Sequence, residues 1–345
     1  MIEFSPEINI LYGDNAVGKT SILEAVAYLG LSKSFRGAKD KEILKFDEEY
    51  FFVKGSFIEK DNKKSEVIIS FKEKEKKIKK NNYIYQKISD YIGYFNVVSF
   101  EPSDLNLIKG GPSERRRFLD VNISQYDTEY LISIVKYNKI LKKRNDFLKS
   151  IEELNEKSNQ YLDAIDELLA SEAIKLIKTR ERFIISINEY IEKVSKSIST
   201  NNEVVSIVYN KSENVENFVN NLKRKRKYDF ICKSTSLGPH RDDLTIKING
   251  CEAEKYASQG QIRTAVIALK LGLASFLKES NEKQIVLLDD VFSELDHNRQ
   301  CELLNLLKEK TQVFITTTSI TNITQDILAK SKLIKVEKEI KAWAI

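Results

Sequence analysis

Hydrophobic residues follow different spacings along this chain, and each spacing predicts a different kind of element. Near the start the apolar run INILY (8–12) stops at Gly13, and SILEAVAYLGL (21–31) then repeats its apolar positions at helical spacing, which predicts strand, loop and helix. Between 50 and 100 the runs YFFVKGSFI, SEVIISF and YFNVVSF, separated by turns rich in Lys and Asn, predict an antiparallel layer. From about 113 to 200 the period is helical, with Leu162, Ile165, Leu169 and Leu176 along one face and no proline between Pro112 and Pro239. A short strand EVVSIVY (203–209) and a helix through ENFVNNLKRKRKYDF close that segment. After GPH (238–240) the runs LTIKIN, RTAVIALKLGLASFL, QIVLLDD and QVFITTT bring back strands and a helix. The expectation is an α/β core split into 1–105 and 231–345 around an inserted α-helical lobe at 106–230. The lysine-rich EKEKKIKKNN (73–82) reads as a solvated hairpin tip rather than an interaction tail.

The loop between the first strand and helix carries chemistry. GDNAVGKT (13–20) fits G-x-x-x-x-G-K-[ST] in its proper context, a strand before and a helix after. Gly13 and Gly18 let the backbone of Asp14, Asn15, Ala16 and Val17 turn its N–H groups around phosphate oxygens, and the helix start adds its partial positive end. Lys19 is expected on the β- and γ-phosphates of ATP, and the Thr20 hydroxyl on Mg²⁺. QIVLLDD (284–290) is a buried strand ending in two carboxylates, Asp289 on the metal side through water and Asp290 orienting an attacking water. Asp296 follows in a loop where a second protomer could be sensed. YASQGQIRTAVIALKL (256–271) sets Ser258-Gln259-Gly260-Gln261 at a helix N-terminus, another anion-receptive end. Alone it would be an ordinary Ser N-cap; with the phosphate loop upstream and the acidic strand downstream it reads as a third part of a nucleotide site.

Composition removes other classes. Cys232, Cys251 and Cys301 lack CxxC spacing, and His240 and His297 are the only histidines, so a disulfide framework, a thiolate zinc site and a Ser/His/Asp triad are not expected. No leader or uninterrupted apolar span stands out, and the cytoplasm is the expected compartment. With 56 Lys and Arg against 51 Asp and Glu, the net charge of +5 does not name a polyanionic partner. Local clusters do more: Arg115, Arg116 and Arg117; Lys142, Lys143 and Arg144; Lys223, Arg224, Lys225 and Arg226 are candidate DNA contacts, against the plainer reading of solvated helix faces.

The stretches EPSDLNLIKGGPSERRRFLD (101–120), GPHRDDL (238–244), SQGQIR (258–263) and LLDDVFSELD (287–296) resemble the RecF family of the ATP-binding-cassette ATPases over essentially the whole chain. The Pro-Ser-x-Arg-Arg-x-Phe-Leu-Asp element is the most specific part of that resemblance and the phosphate loop the least. It implies an ATP-binding-cassette head with a helical insert, closed by ATP into a head-to-tail homodimer. There the Ser258 hydroxyl and Gly260 N–H of one subunit meet the γ-phosphate held by the other. It also implies a weak, DNA-stimulated ATPase acting as a switch, which binds single-stranded DNA, duplex and gap junctions. With RecO and RecR it would help load RecA in recombinational repair and replication restart and support the SOS response.

The sequence departs from that pattern in places. Relatives carry one or two further strands before FSPEINILYG, with an Asn-Phe-Arg-Asn type element near the adenine, so a missing first strand is expected here. Asp290 and Thr318 stand where transporters of the superfamily have Glu and His, which predicts slow turnover. SFEPSD (99–104) takes the place of the Gln loop. A permease-energising subunit would carry LSGGQ and the His; an SMC-like tether would carry hundreds of residues of heptads. A nucleotide-gated DNA-binding module or SMC-like head without significant hydrolysis stays open.

Overall fold

The computed structural model describes residues 2–45, 47–58, 63–199, 202–281, 283–292, 297–307, 311–321 and 323–337. Its twelve described strands are β1 (Ile8–Tyr12), β2 (Tyr50–Ile58), β3 (Lys64–Lys72), β4 (Glu75–Lys80), β5 (Tyr83–Tyr85), β6 (Asn96–Phe100), β7 (Val205–Asn210), β8 (Asp243–Ile248), β9 (Cys251–Glu252), β10 (Gln284–Asp289), β11 (Thr311–Thr317) and β12 (Ser331–Lys335). The central sheet runs β12-β1-β11-β10-β6, every pair parallel. A second, antiparallel sheet is β2-β3-β4-β5 and a third is β7-β8-β9.

Covered on both faces, the central strands read as apolar runs, and all six residues of β10 are buried. Their alternation divides two cores. Leu11, Val97, Leu287 and Phe314 pack with the helix Lys19–Leu31 and the antiparallel layer. Their neighbours Ile10, Val98, Leu288 and Ile315 face the opposite core, shared with the helix Gln259–Ser280 and the helical lobe. Apolar enough to cross a membrane by length and composition, Gln259–Ser280 is instead mostly buried between the sheet and the lobe.

The lobe is built on Glu156–Ile198, 43 residues and therefore about 65 Å long. Its apolar stripe holds Leu162, Leu169 and Leu176, all buried. It crosses Gln259–Ser280 closely at Gly272, where a Cβ would lie 2.8 Å from the Ile191 backbone. The helices Pro112–Tyr126, Thr128–Ser150 and Phe218–Cys232 complete the lobe. One expected boundary is crossed in the structure: β7, from the inserted segment, pairs with β8, beyond residue 231. The lobe and the C-terminal half thus share a sheet as well as a core.

Candidate nucleotide-binding site

β1 delivers the chain into the phosphate loop at the C-terminal edge of the central sheet. Gly13 has φ 151° and Gly18 φ 105°, values that favour glycine, and a Cβ on Gly13 would come within 2.3 Å of the Val336 carbonyl oxygen. The helix that follows, Lys19–Leu31, has no side-chain cap and no acidic residue in its first turn, so its first N–H groups and partial positive charge suit an anion. Lys19 is buried, with Nζ donating to the carbonyls of Gly13 at 2.7 Å and Asp14 at 2.8 Å, which holds the loop curled around its ammonium. Asp14, Asn15 and Ala16 are exposed on the rim.

Thr20 joins this loop to the acidic strand. Its hydroxyl donates to Asp289 Oδ1 at 2.9 Å, across 269 positions of sequence. The same carboxylate oxygen accepts a second hydroxyl, Thr316 Oγ1 at 2.7 Å, while Thr316 accepts the Asp290 N–H at 2.9 Å. Thr316 is fully buried on β11 and was not singled out by sequence reasoning: a Thr in VFITTT reads as strand propensity. Asp290 leaves the strand with φ 54°, a left-handed conformation that Asp tolerates better than most residues. Among the described residues no cluster of three or more His, Cys, Asp or Glu could hold a metal by itself. Thr20 and Asp289 nonetheless fit Mg²⁺, which takes one or two protein oxygens beside phosphate oxygens and water.

β6 brings a third carboxylate alongside. Phe100 pairs with Leu288, so Glu101 leaves β6 level with Asp289. Glu101 lines a cavity of about 250 Å³ with Lys33, Asp104, Arg117 and Lys270. Burial, and then the Asp104 charge, push its carboxyl up to about 7. Lys270 pairs with Asp104 at 2.6 Å and donates to the Ser99 carbonyl at 2.9 Å, tying SFEPSD to the helix Gln259–Ser280.

Ser258 is the N-cap of that helix. Its hydroxyl accepts the Gln261 N–H at 3.3 Å, and the Gln261 side chain accepts the Ser258 N–H at 2.8 Å. Gln261 also donates to Glu203 at 2.8 Å, so its amide is committed within the protomer. Gly260 differs from its neighbours. It has no positive φ, and a Cβ there would meet nothing within 4 Å. Nothing inside the protomer requires glycine at that position.

The candidate DNA contacts divide. Arg144 is fully buried, donating to Asp166, Asp229 and Thr235, and Arg226 is buried against Asp163 and Asp166. Arg115 is buried against Asp243, Arg116 donates to the Asp242 carbonyl at 2.8 Å, and Arg117 donates to the Phe35 carbonyl at 2.5 Å. Arg115, Arg144 and Arg226 are internal ties, buried against carboxylates, which corrects their expected role, whereas Arg116 and Arg117 are half-buried. Lys142, Lys143, Arg224 and Lys225 are exposed, as is Lys223, which pairs with Asp163 at 2.8 Å. Thr318 is exposed just past β11, and Asp296 lies outside the described residues.

The family profile described as the RecF/RecN/SMC N-terminal domain matches residues 1–342. The chain is 42% identical over 330 residues to the DNA replication and repair protein RecF of Streptococcus agalactiae, covering 93% of this chain and 88% of that one. With RecF of Lactobacillus acidophilus the identity is 36% over 348 residues, 97% and 92% of the two chains. Among solved structures, the recombination mediator protein RecF with ATP, described within the RecFOR pathway, superposes with a TM-score of 0.89 at 37% identity, over 98% of this chain and 91% of that one. RecF with ATPγS gives 0.85 at 38%, over 94% and 89%. The Smc head domain from Pyrococcus furiosus, at 16% identity and a TM-score of 0.52 over 98% and 89%, shares the fold alone.

Proposed function

The chain belongs to the RecF family of DNA replication and repair proteins, and from that membership we propose that it is an ATP-gated DNA-binding protein of recombinational repair whose weak ATPase resets a conformational switch. The observation that carries this reading is the Thr20–Asp289 hydrogen bond, which unites the phosphate loop with the acidic strand in one site. Lys19 grips the β- and γ-phosphates of ATP, and Thr20 and Asp289 hold Mg²⁺, which neutralises phosphate charge when bound. Asp290 orients the attacking water.

The other half of the site comes from a second copy. Ser258 uses its hydroxyl oxygen as a cap and keeps its proton for another acceptor, and Gly260 presents bare backbone on an open face. Both groups suit a γ-phosphate arriving from a partner's phosphate loop. Closure then depends on ATP, and loss of the γ-phosphate reopens the pair. DNA lies against the exposed Lys142, Lys143, Arg224 and Lys225 of the lobe, contacts to phosphate that confer little sequence preference. RecO and RecR are its partners in the cytoplasm, gap junctions its preferred substrate, and RecA loading in the SOS response its setting; the RecFOR description of the ATP-bound relative supports the first of these.

A gel-shift on gapped and plain duplex, with and without ATP, tests this reading. Wild type should bind gapped DNA at least tenfold more tightly with ATP, an order of magnitude that one lost charged phosphate contact can remove, and Lys19→Ala should bind equally with or without it. ATP-stimulated binding by Lys19→Ala would overturn the assignment.

A further inference from the structure

The turn that leads into the helix Pro112–Tyr126 lies against the Ser258–Gln261 loop. Lys109 Nζ donates to Gln259 Oε1 at 2.7 Å. The helical turn that carries Lys109, Asn106–Lys109, packs on both Ala253–Tyr256 and Gln259–Ser280. Arg115 fixes it from beneath, with Nη1 donating to the Leu107 and Gly110 carbonyls at 3.5 and 2.7 Å while Nε and Nη2 clamp Asp243 at 2.6 and 2.9 Å. A buried arginine thus holds an exposed lysine in place beside the loop.

Gly111 repeats the peculiarity of Gly260. It too has no positive φ, and its Cβ would meet only Ser113 Oγ at 3.9 Å. Gly111 is also the N-cap of the helix Pro112–Tyr126, a place that accepts glycine, so it is Gly260, joined to this turn by the Lys109–Gln259 bond, that marks a surface another molecule approaches at backbone distance. Charge points to what that molecule is. Ser258, Gln259, Gly260 and Gln261 carry no charge, while the phosphate-loop side sets the Asp289 carboxylate against Thr20 and Asp14 on the exposed rim. A polyphosphate held there is under-neutralised by the loop that closes on it.

We propose that Lys109 is a second trans-acting phosphate ligand, which rides on Gln259 and brings positive charge to the nucleotide bound by the partner's phosphate loop. The inference rests on the shared-site reading above. Lys109→Ala, Lys109→Arg and Ser258→Arg, each in the full chain, separate the two. Dimerisation with ATPγS is followed by sedimentation, and nucleotide affinity of the dilute monomer by titration with a fluorescent ATP. Lys109→Ala should weaken the nucleotide-dependent dimer about tenfold or more, the scale of one charge-assisted hydrogen bond per site. Lys109→Arg should recover most of that loss, and monomer affinity should not move. A Lys109→Ala dimer of wild-type strength, beside a Ser258→Arg variant that no longer pairs, would overturn the role of Lys109 and leave the shared site standing. So would a loss that arginine does not recover, or an equal loss of monomer affinity. Full dimerisation by Ser258→Arg would remove the shared site and this inference with it.

Discussion

Thr316 does two things with one hydroxyl: it accepts the Asp290 N–H and donates to Asp289. It therefore ties the Asp289 carboxylate to the Asp290 backbone, although it stands on a different strand. Removing such an orienting partner of a metal-side carboxylate typically costs tenfold or more. Thr316→Val, of similar shape, should still dimerise with ATP but hydrolyse it roughly ten- to a hundredfold more slowly, as measured by phosphate release. Unchanged turnover would make Thr316 a packing residue. Sequence displays Lys19 and Thr20 because the G-x-x-x-x-G-K-[ST] pattern fixes their spacing, and Asp289 because it ends the apolar run QIVLLDD. It hides Thr316, whose partner arrives through sheet pairing, and Glu101, whose environment is made by Asp104 and burial.

At the scale of elements, helical spacing is legible but the destination of a charged residue on the helix is not. KKR (142–144) looks like one basic cluster, yet the turn of Thr128–Ser150 leaves Lys142 and Lys143 in solvent and sends Arg144 inward to Asp166 and Asp229. Those carboxylates belong to two other helices, so nothing near residue 144 announces them. Arg144→Met should destabilise the protein by about 3 kcal/mol or more, because it strands the buried Asp229 carboxylate and leaves Asp166 to Arg226 alone. The pair Lys142→Glu with Lys143→Glu should change stability by no more than about 0.5 kcal/mol, read from denaturant midpoints. The strands were easier. INILY and QIVLLD must be apolar on both faces because two cores press on them, and that requirement is written directly into their composition.

For the whole molecule, the shared core on the lobe side makes the helical insert and the C-terminal half one cooperative body. Leu176→Ala, deep in the lobe, should cost about 2–5 kcal/mol and shift the melting of the body containing β10 and β11 by the same amount, as hydrogen exchange at those strands would report. Protection of β10 that ignores the lobe substitution would make the insert an independent unit. Sheet order also governs when the protein becomes competent. β1 comes first in chain order among the described strands, yet both its neighbours, β11 and β12, come last. Both its hydrogen-bonding edges are filled by long-range pairing, which is slow to form, and the loop at its end meets the Val336 carbonyl only once β12 has paired. The shape of the phosphate loop is thereby coupled to the most sequence-distant pairing of the central sheet, and a fault in β11 or β12 is felt at Gly13.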